Sequence, residues 1–236
     1  MGASRRIFVA GGTGYIGRAA IPRLLRRGHL VRALARPGSE KRVPEGAETV
    51  VGNALDAGSF APAVASCDTL LHLVGVAHPS PAKARQFREI DFASARASGE
   101  AGRRAGVSHF VFLSVAQPAP AMKAYVQARA QGEAFLKGLA FPATTFLRPW
   151  YVLGPGHRWP YLLLPGYGLA ELLPWTRETA RRLGLVTLSQ MAAALVDAVE
   201  NPPTGVRIVA VPEIRRAGGS DSGKAREHSW TGSAKA

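Results

Sequence analysis

Gly11, Gly14 and Gly17 stand three residues apart directly after the apolar run Ile7-Phe8-Val9-Ala10. That spacing suits a pyrophosphate. The first glycine lets the chain turn tightly, the second lets the backbone approach the anion, and the third lets the next helix pack closely on the strand. The amides of the helix start then point at the phosphates. Thr13, Tyr15 and Ile16 fill the turn, so Gly11, Thr13, Gly14, Tyr15, Ile16 and Gly17 form a candidate nucleotide cradle. Glycine-rich turns also close ordinary loops, and what sets this one apart is its place between an apolar strand and a helix.

Arg36 is the second chemical marker. It follows the alternating stretch His29–Ala35, and the residue at the end of such a second strand faces the adenosine ribose. An acid there accepts from the 2′-hydroxyl, whereas a base pairs with a 2′-phosphate. With Arg32 four residues earlier and no acid before Glu40, the expected cofactor is NADP, NAD staying open as the alternative. The plainer reading of Arg36 is a solvated surface arginine. Asn53 has two readings as well, a turn former and a partner for an adenine edge. His72 has no carboxylate neighbour in sequence and reads as a core histidine rather than a catalytic base.

The elements that must position these residues alternate regularly. Strands are expected near 7–10, 29–35, 47–51, 68–75, 109–115, 144–148 and 206–209. Helices are expected from about 15 to 27, after Asp56 as a cap, from 84 to 106, from 122 to 139 and from 188 to 199. Strand-helix alternation with crossover connections implies an α/β, doubly wound parallel sheet. One domain over 1–216 is expected, with a substrate-side segment at 149–187. Residues 217–236, rich in Gly, Ser, Ala and charge, read as a disordered tail.

Composition narrows the classes. The 236 residues carry 30 Lys+Arg against 16 Asp+Glu, a net charge of +14. The basic pairs are scattered and no aromatics alternate with them, so dedicated nucleic-acid binding is not expected. The single Cys67 cannot form an internal disulfide, and no Cys/His spacing suits a metal. With no apolar leader before the first strand, the expected compartment is the cytoplasm. The apolar stretch 159–175 is too short and too broken by proline and glycine to span a bilayer, though contact with a membrane surface stays open.

Several spaced signatures coincide: Gly11-Gly12-Thr13-Gly14-Tyr15-Ile16-Gly17, Leu71-His72-Leu73-Val74-Gly75, Phe112-Leu113-Ser114, Tyr125 to Glu133, and Leu147-Arg148-Pro149-Trp150 through Gly156. Over residues 5 to about 212 the chain resembles the short-chain dehydrogenase/reductase superfamily, a Rossmann fold. Within it the chain is similar to the extended and atypical branches, NAD-dependent epimerase/dehydratase-like and NmrA-like. The resemblance implies that Tyr125 gives a proton to a substrate oxygen while the nicotinamide gives a hydride, and that Ser114 orients the carbonyl. It also implies that Leu73, Val74, Arg148 and Pro149 line the cofactor.

One position departs from the family pattern. Arg129 stands where such reductases carry a lysine that holds the nicotinamide ribose and lowers the tyrosine pKa. Arginine keeps the charge and can still reach ribose hydroxyls, but it releases no proton. Ser114 and Tyr125 are also only eleven residues apart, which shortens the loop between them. His78, in the loop after the fourth strand, and Trp150, His157, Trp159 and Tyr161 are candidate substrate contacts, suited to an apolar or aromatic ligand.

The leading expectation is an NADP-dependent oxidoreductase acting on a carbonyl or related small apolar substrate, as a monomer or homodimer. The altered Tyr-x-x-x-Arg pair keeps a second open, a non-catalytic NAD(P)H-binding sensor or assembly protein. A sugar-type epimerase or dehydratase ranks third, because such enzymes usually need the lysine and a larger substrate domain.

Overall fold

The computed structural model describes residues 3–77, 79–119, 121–155 and 183–218. In chain order, β1 (Arg6–Ala10) leads through the glycine turn to α1 (Gly17–Arg26), then come β2 (Leu30–Ala35) and β3 (Glu48–Val51). A one-turn α2 (Ala61–Val64) precedes β4 (Thr69–His72). The connection from β4 carries α3 (Ala84–Gln86), a π-helical segment (Phe87–Phe92) and α4 (Ala93–Arg104), which returns to β5 (His109–Leu113). Then α5 (Lys123–Gly138), β6 (Ala143–Arg148) and β7 (Tyr151–Leu153) follow, and beyond the next described residues β8 (Leu185–Thr187), α6 (Leu188–Glu200) and β9 (Gly205–Ala210). Residues 211–218 are helical.

Seven strands form one parallel sheet in the order β3-β2-β1-β4-β5-β6-β9, and β7 pairs with β8 in a separate parallel ribbon. Successive side chains of a strand point to opposite faces, so the unbroken apolar runs feed two cores. Ile7, Val9, Val31, Leu71, Val111 and Leu147 pack with Ile21 and Leu24 of α1 and Met191, Leu195 and Val199 of α6. Phe8, Leu34, Leu70, Phe110, Phe112 and Phe146 pack with Phe60, Val64, Ala97, Ala101 and Leu136. The sheet is therefore covered on both faces, as a parallel sheet must be.

The chain order reverses between β1 and β4. From β1 the chain winds outward to β2 and β3, then returns to place β4 on the other side of β1. In such sheets the crevice at the carboxyl ends of the two central strands is where ligands bind. Here the Leu73 amide donates to the Ala10 carbonyl at 2.8 Å and closes the floor of that crevice.

Two expectations change in detail. Asp56 caps a 3-10 turn, Ala57–Ser59, by accepting from the Gly58 amide at 3.0 Å. The helix expected over 84–106 is interrupted by the π segment and ends at Arg104. A π turn holds more residues than an α turn, and such bulges gather at functional sites. This one buries both Phe87 and Asp91.

His72 is a satisfied core histidine, with Nδ1 at 3.0 Å from Ser98 Oγ and Nε2 at 3.4 Å from Ser94 Oγ. Burial, assisted by the Arg129 charge, lowers its pKa from 6.5 to about 3. His109, bonded to Thr145 Oγ1 at 3.0 Å, is lowered by burial to about 4. The unfolded chain takes up these protons near pH 6.5 whereas the folded one does not, so stability falls as the pH drops below that value. Denaturant midpoints measured from about pH 7 to about pH 5 are expected to decline, His72 accounting for about 2 kcal/mol at the lower end. His72→Gln is expected to flatten the decline, and an unchanged slope in that variant would show that His72 is not its source.

Candidate active site

The glycine turn is built by close approach. Gly11 has a φ of +89°, and a Cβ there would lie 2.8 Å from the Leu73 carbonyl carbon. A Cβ on Gly17 would stand 2.5 Å from the Gly11 oxygen. Strand, turn and helix are thus pressed together with no room for a side chain. Gly14 differs: it is exposed, donates its amide to the Gly11 oxygen at 3.1 Å, and a Cβ on it would meet only that oxygen, at 3.2 Å. Its outer side is open to an approaching pyrophosphate at the N-terminus of α1, so the residues present fit a dinucleotide. The Tyr15 hydroxyl reaches Gly154, just past the end of β7, where a Cβ would collide with it.

Arg36 is exposed just past the end of β2. Arg32, expected to accompany it, is committed elsewhere. Its Nε donates to Glu48 Oε2 at 2.8 Å and its Nη1 to the Ala63 carbonyl at 3.0 Å and to Ser66 Oγ. Of these two arginines, Arg36 is the exposed one. Asn53 is exposed after β3, where its Oδ1 accepts from the Leu55 amide at 3.1 Å. The oxygen makes the turn, and the amide nitrogen remains as a donor.

On α5, Tyr125, Arg129 and Glu133 recur every four residues and share a face. Tyr125 is half-buried, its ring 5.1 Å from that of Phe87 and 5.4 Å from the Arg129 guanidinium carbon. Arg129 stands where the family lysine holds the nicotinamide ribose, and here its guanidinium is engaged by protein groups. The residue is 3% exposed, with Nη1 donating to the Leu113 carbonyl at 2.9 Å and Nη2 to the Val74 carbonyl at 3.1 Å. Nη2 also lies 2.7 Å from Asp91 Oδ1. The fork is spent on the carboxyl ends of β4 and β5, because an arginine is long enough to cross to them from α5.

Asp91 is itself buried, and its Oδ2 accepts from the Val76 amide at 3.2 Å. Burial pushes its carboxyl up, and the guanidinium beside it opposes that. Burial likewise works against the Arg129 charge, but Tyr125 and Asp91 outweigh it and keep the arginine protonated. The pair leaves no room at Gly75, where a Cβ would overlap Nη2.

Glu133 organises the rest. Its Oε1 accepts from Ser114 Oγ at 2.6 Å, Gln117 Nε2 at 2.8 Å and Arg148 Nε at 2.9 Å, while Oε2 accepts from Arg148 Nη2 at 2.5 Å. A hydroxyl has one proton, and Ser114, buried, donates it here to Glu133, where the resemblance implied a donor to a substrate carbonyl. Arg148, implied to line the cofactor, donates here to the same carboxylate. Pro149 accepts from the Ala116 amide at 2.9 Å, Trp150 is half-buried beyond it, and Leu73 and Val74 lie against the glycine turn.

His78, His157, Trp159 and Tyr161 lie outside the described residues, as does most of the 149–187 segment and the tail from 219 onward. Two buried carboxylates at this site, Asp91 and Glu133, were given no role in the sequence. Glu133 could have been found as the acid continuing the four-residue stripe of Tyr125 and Arg129. Asp91 lies 38 residues before its partner and carries no comparable signal. Among the described residues no cluster of His, Cys, Asp or Glu suits a metal, and no helix is long and apolar enough to cross a membrane.

Residues 11–158 match a family described as NAD(P)H-binding. The ceramide reductase of Caulobacter vibrioides is 26% identical over 227 residues, 90% of this chain and 66% of that protein. The 3-beta-hydroxysteroid dehydrogenase of Mycolicibacterium neoaurum is 32% identical over 115 residues, 46% of this chain and 31% of that protein. The chain thus spans only a fraction of the length of these relatives. Among solved structures, the Bordetella bronchiseptica enzyme WbmH in complex with NAD+ superposes with a TM-score of 0.65 at 18% identity, over 90% of this chain and 79% of that one. A short-chain dehydrogenase/reductase superfamily protein from Agrobacterium tumefaciens with bound NAD gives 0.64 at 19% identity, over 87% and 77%. With its parallel sheet, its glycine turn and this match over most of its length, the chain belongs to the NAD(P)H-binding family.

Proposed function

We propose that the protein is an NADP-dependent reductase of a carbonyl on a small apolar or aromatic substrate. The observation that carries this reading is the Tyr125 ring set on the buried Arg129 cation, near the carboxyl ends of the strands where the cofactor cradle opens. A nicotinamide cofactor, when bound, supplies the hydride that adds to the carbonyl carbon. Tyr125 gives its phenolic proton to the carbonyl oxygen, completing the alcohol. Arg129 stabilises the phenolate left behind, since a cation in contact with a ring favours its negative form. It does so without exchanging a proton, so the phenolate is reloaded from solvent.

Arg36 supports NADP over NAD, because a guanidinium pairs bidentately with a phosphate and gains nothing from a ribose hydroxyl that an acid would not supply better. An apolar substrate is supported by the names of two relatives, a ceramide reductase and a steroid dehydrogenase.

A second reading, an NAD(P)H-binding sensor without turnover, is favoured by one observation. Ser114 and Arg148 are both held by Glu133, so the usual carbonyl-orienting donor is occupied. NADPH binding with no oxidation across a broad carbonyl panel would select it.

Fluorescence titration is expected to show tighter binding of NADPH than NADH, with Arg36→Ala weakening NADPH about tenfold or more and leaving NADH unchanged. Equal affinities in the wild type would remove Arg36 from cofactor choice. Tyr125→Phe is expected to lower kcat by about a hundredfold or more with NADPH affinity retained. Full turnover in that variant would exclude Tyr125 as the acid.

A further inference from the structure

The π segment does two things to the Tyr125 site from one face. Phe87 and Asp91, four residues apart, are both buried; Phe87 packs on the Tyr125 ring at 5.1 Å, and Asp91 meets the Arg129 guanidinium at 2.7 Å. The Arg129 guanidinium carbon lies 5.4 Å from the centre of the Tyr125 ring. Ring, cation and carboxylate therefore form a chain of contacts, held at its far end by the Val76 amide on Asp91 Oδ2.

We infer that Asp91 is a positioning residue for Tyr125: its carboxylate holds the Arg129 guanidinium against the ring and offsets some of its charge, so that the phenol keeps the proton it must donate. This inference rests on the proposed acid role of Tyr125. A buried arginine left uncompensated beside a phenol would drive it toward phenolate, which has no proton to give. One too well compensated would leave the phenolate unsupported after transfer. A carboxylate placed behind the guanidinium, touching it but not the ring, sets the balance between the two.

The other charged groups near this chain of contacts do not supply the same function. On α5, Lys123 is exposed and two residues out of phase with the stripe, and Glu133 is engaged by Arg148. On the π segment Arg88 and Glu89 are exposed, the latter beside Arg85 at 3.2 Å. On β4, His72 is buried and neutral at ordinary pH. The chain after β4 contributes Val74 and Gly75, and β5 contributes the Leu113 carbonyl, none of which titrates. Among the described residues Asp91 is the counter-charge to Arg129.

The test is an ultraviolet difference titration of the Tyr125 phenol in the full chain. Each protein is referenced to the same background carrying Tyr125→Phe, and a pH profile of NADPH oxidation is recorded in parallel. Asp91→Asn is expected to move the phenol's titration down by about one pH unit or more, with NADPH binding retained and the descending limb of the rate profile moving the same way. A folded Asp91→Asn protein whose phenol titrates with the wild type overturns the inference. A phenol that moves while the rate shows no dependence on Tyr125 upholds the coupling of Asp91 to Tyr125 and overturns the acid role alone, so the two failures are distinguishable. If Asp91→Asn does not fold, Asp91→Asn combined with Arg129→Gln replaces the ion pair by a neutral amide pair. Its phenol is expected to titrate above the wild-type one, because the cation is the charge in contact with the ring. A phenol at the wild-type position there overturns the inference as well.

Discussion

The ion pair between Asp91 and Arg129 lies where β4, β5, the π segment and α5 converge. Removing two charges from water costs several kcal/mol for each ion, and the attraction between them offsets that only when the remaining polar atoms are also satisfied. Here the backbone supplies part of that satisfaction, the Val74 and Leu113 carbonyls on the guanidinium and the Val76 amide on the carboxylate, while Arg129 Nε makes no hydrogen bond and Asp91 Oδ1 meets only the guanidinium. The loop after β4 is therefore fastened to α5, and the same loop supplies the residues against which Gly11 turns. Cofactor cradle and reaction side share one wall.

Glu133 has a similar role a turn further along α5. Holding Ser114, Gln117 and Arg148 together, it joins the end of β5 to the end of β6. The two buried carboxylates, Asp91 through Arg129 and Glu133 directly, tie α5 to the carboxyl ends of β4, β5 and β6.

Replacing a lysine by Arg129 alters more than size. A lysine at this place would present one mobile ammonium toward the cofactor ribose, whereas the planar fork of an arginine is matched to several acceptors at once and stays with them. The positive charge stays in contact with the Tyr125 ring, 5.4 Å from its centre.

Much of the architecture was legible from residue order. The runs at 7–10, 29–35 and 109–115 became strands within a residue or two of their expected ends, because a fully covered parallel strand leaves an unbroken apolar signature that turn residues delimit. The glycine turn was legible for the same reason: its geometry is local, and only glycine meets it. The Tyr125-Arg129 stripe was visible too, since helical spacing alone puts both on one face. What the Arg129 guanidinium touches was not. Its partners, Asp91, Val74 and Leu113, come from three separate places in the chain, brought together by crossovers that no local pattern encodes. Ser114 shows the same division: its position at a strand end followed from sequence, while the direction of its single proton depended on Glu133 arriving from a helix nineteen residues away. Backbone geometry and hydrophobic periodicity, which act over a few residues, determined the fold and the cradle. The disposition of buried charge, which is set by long-range proximity and by the cost of leaving a charge unpaired, was decided only by the tertiary structure.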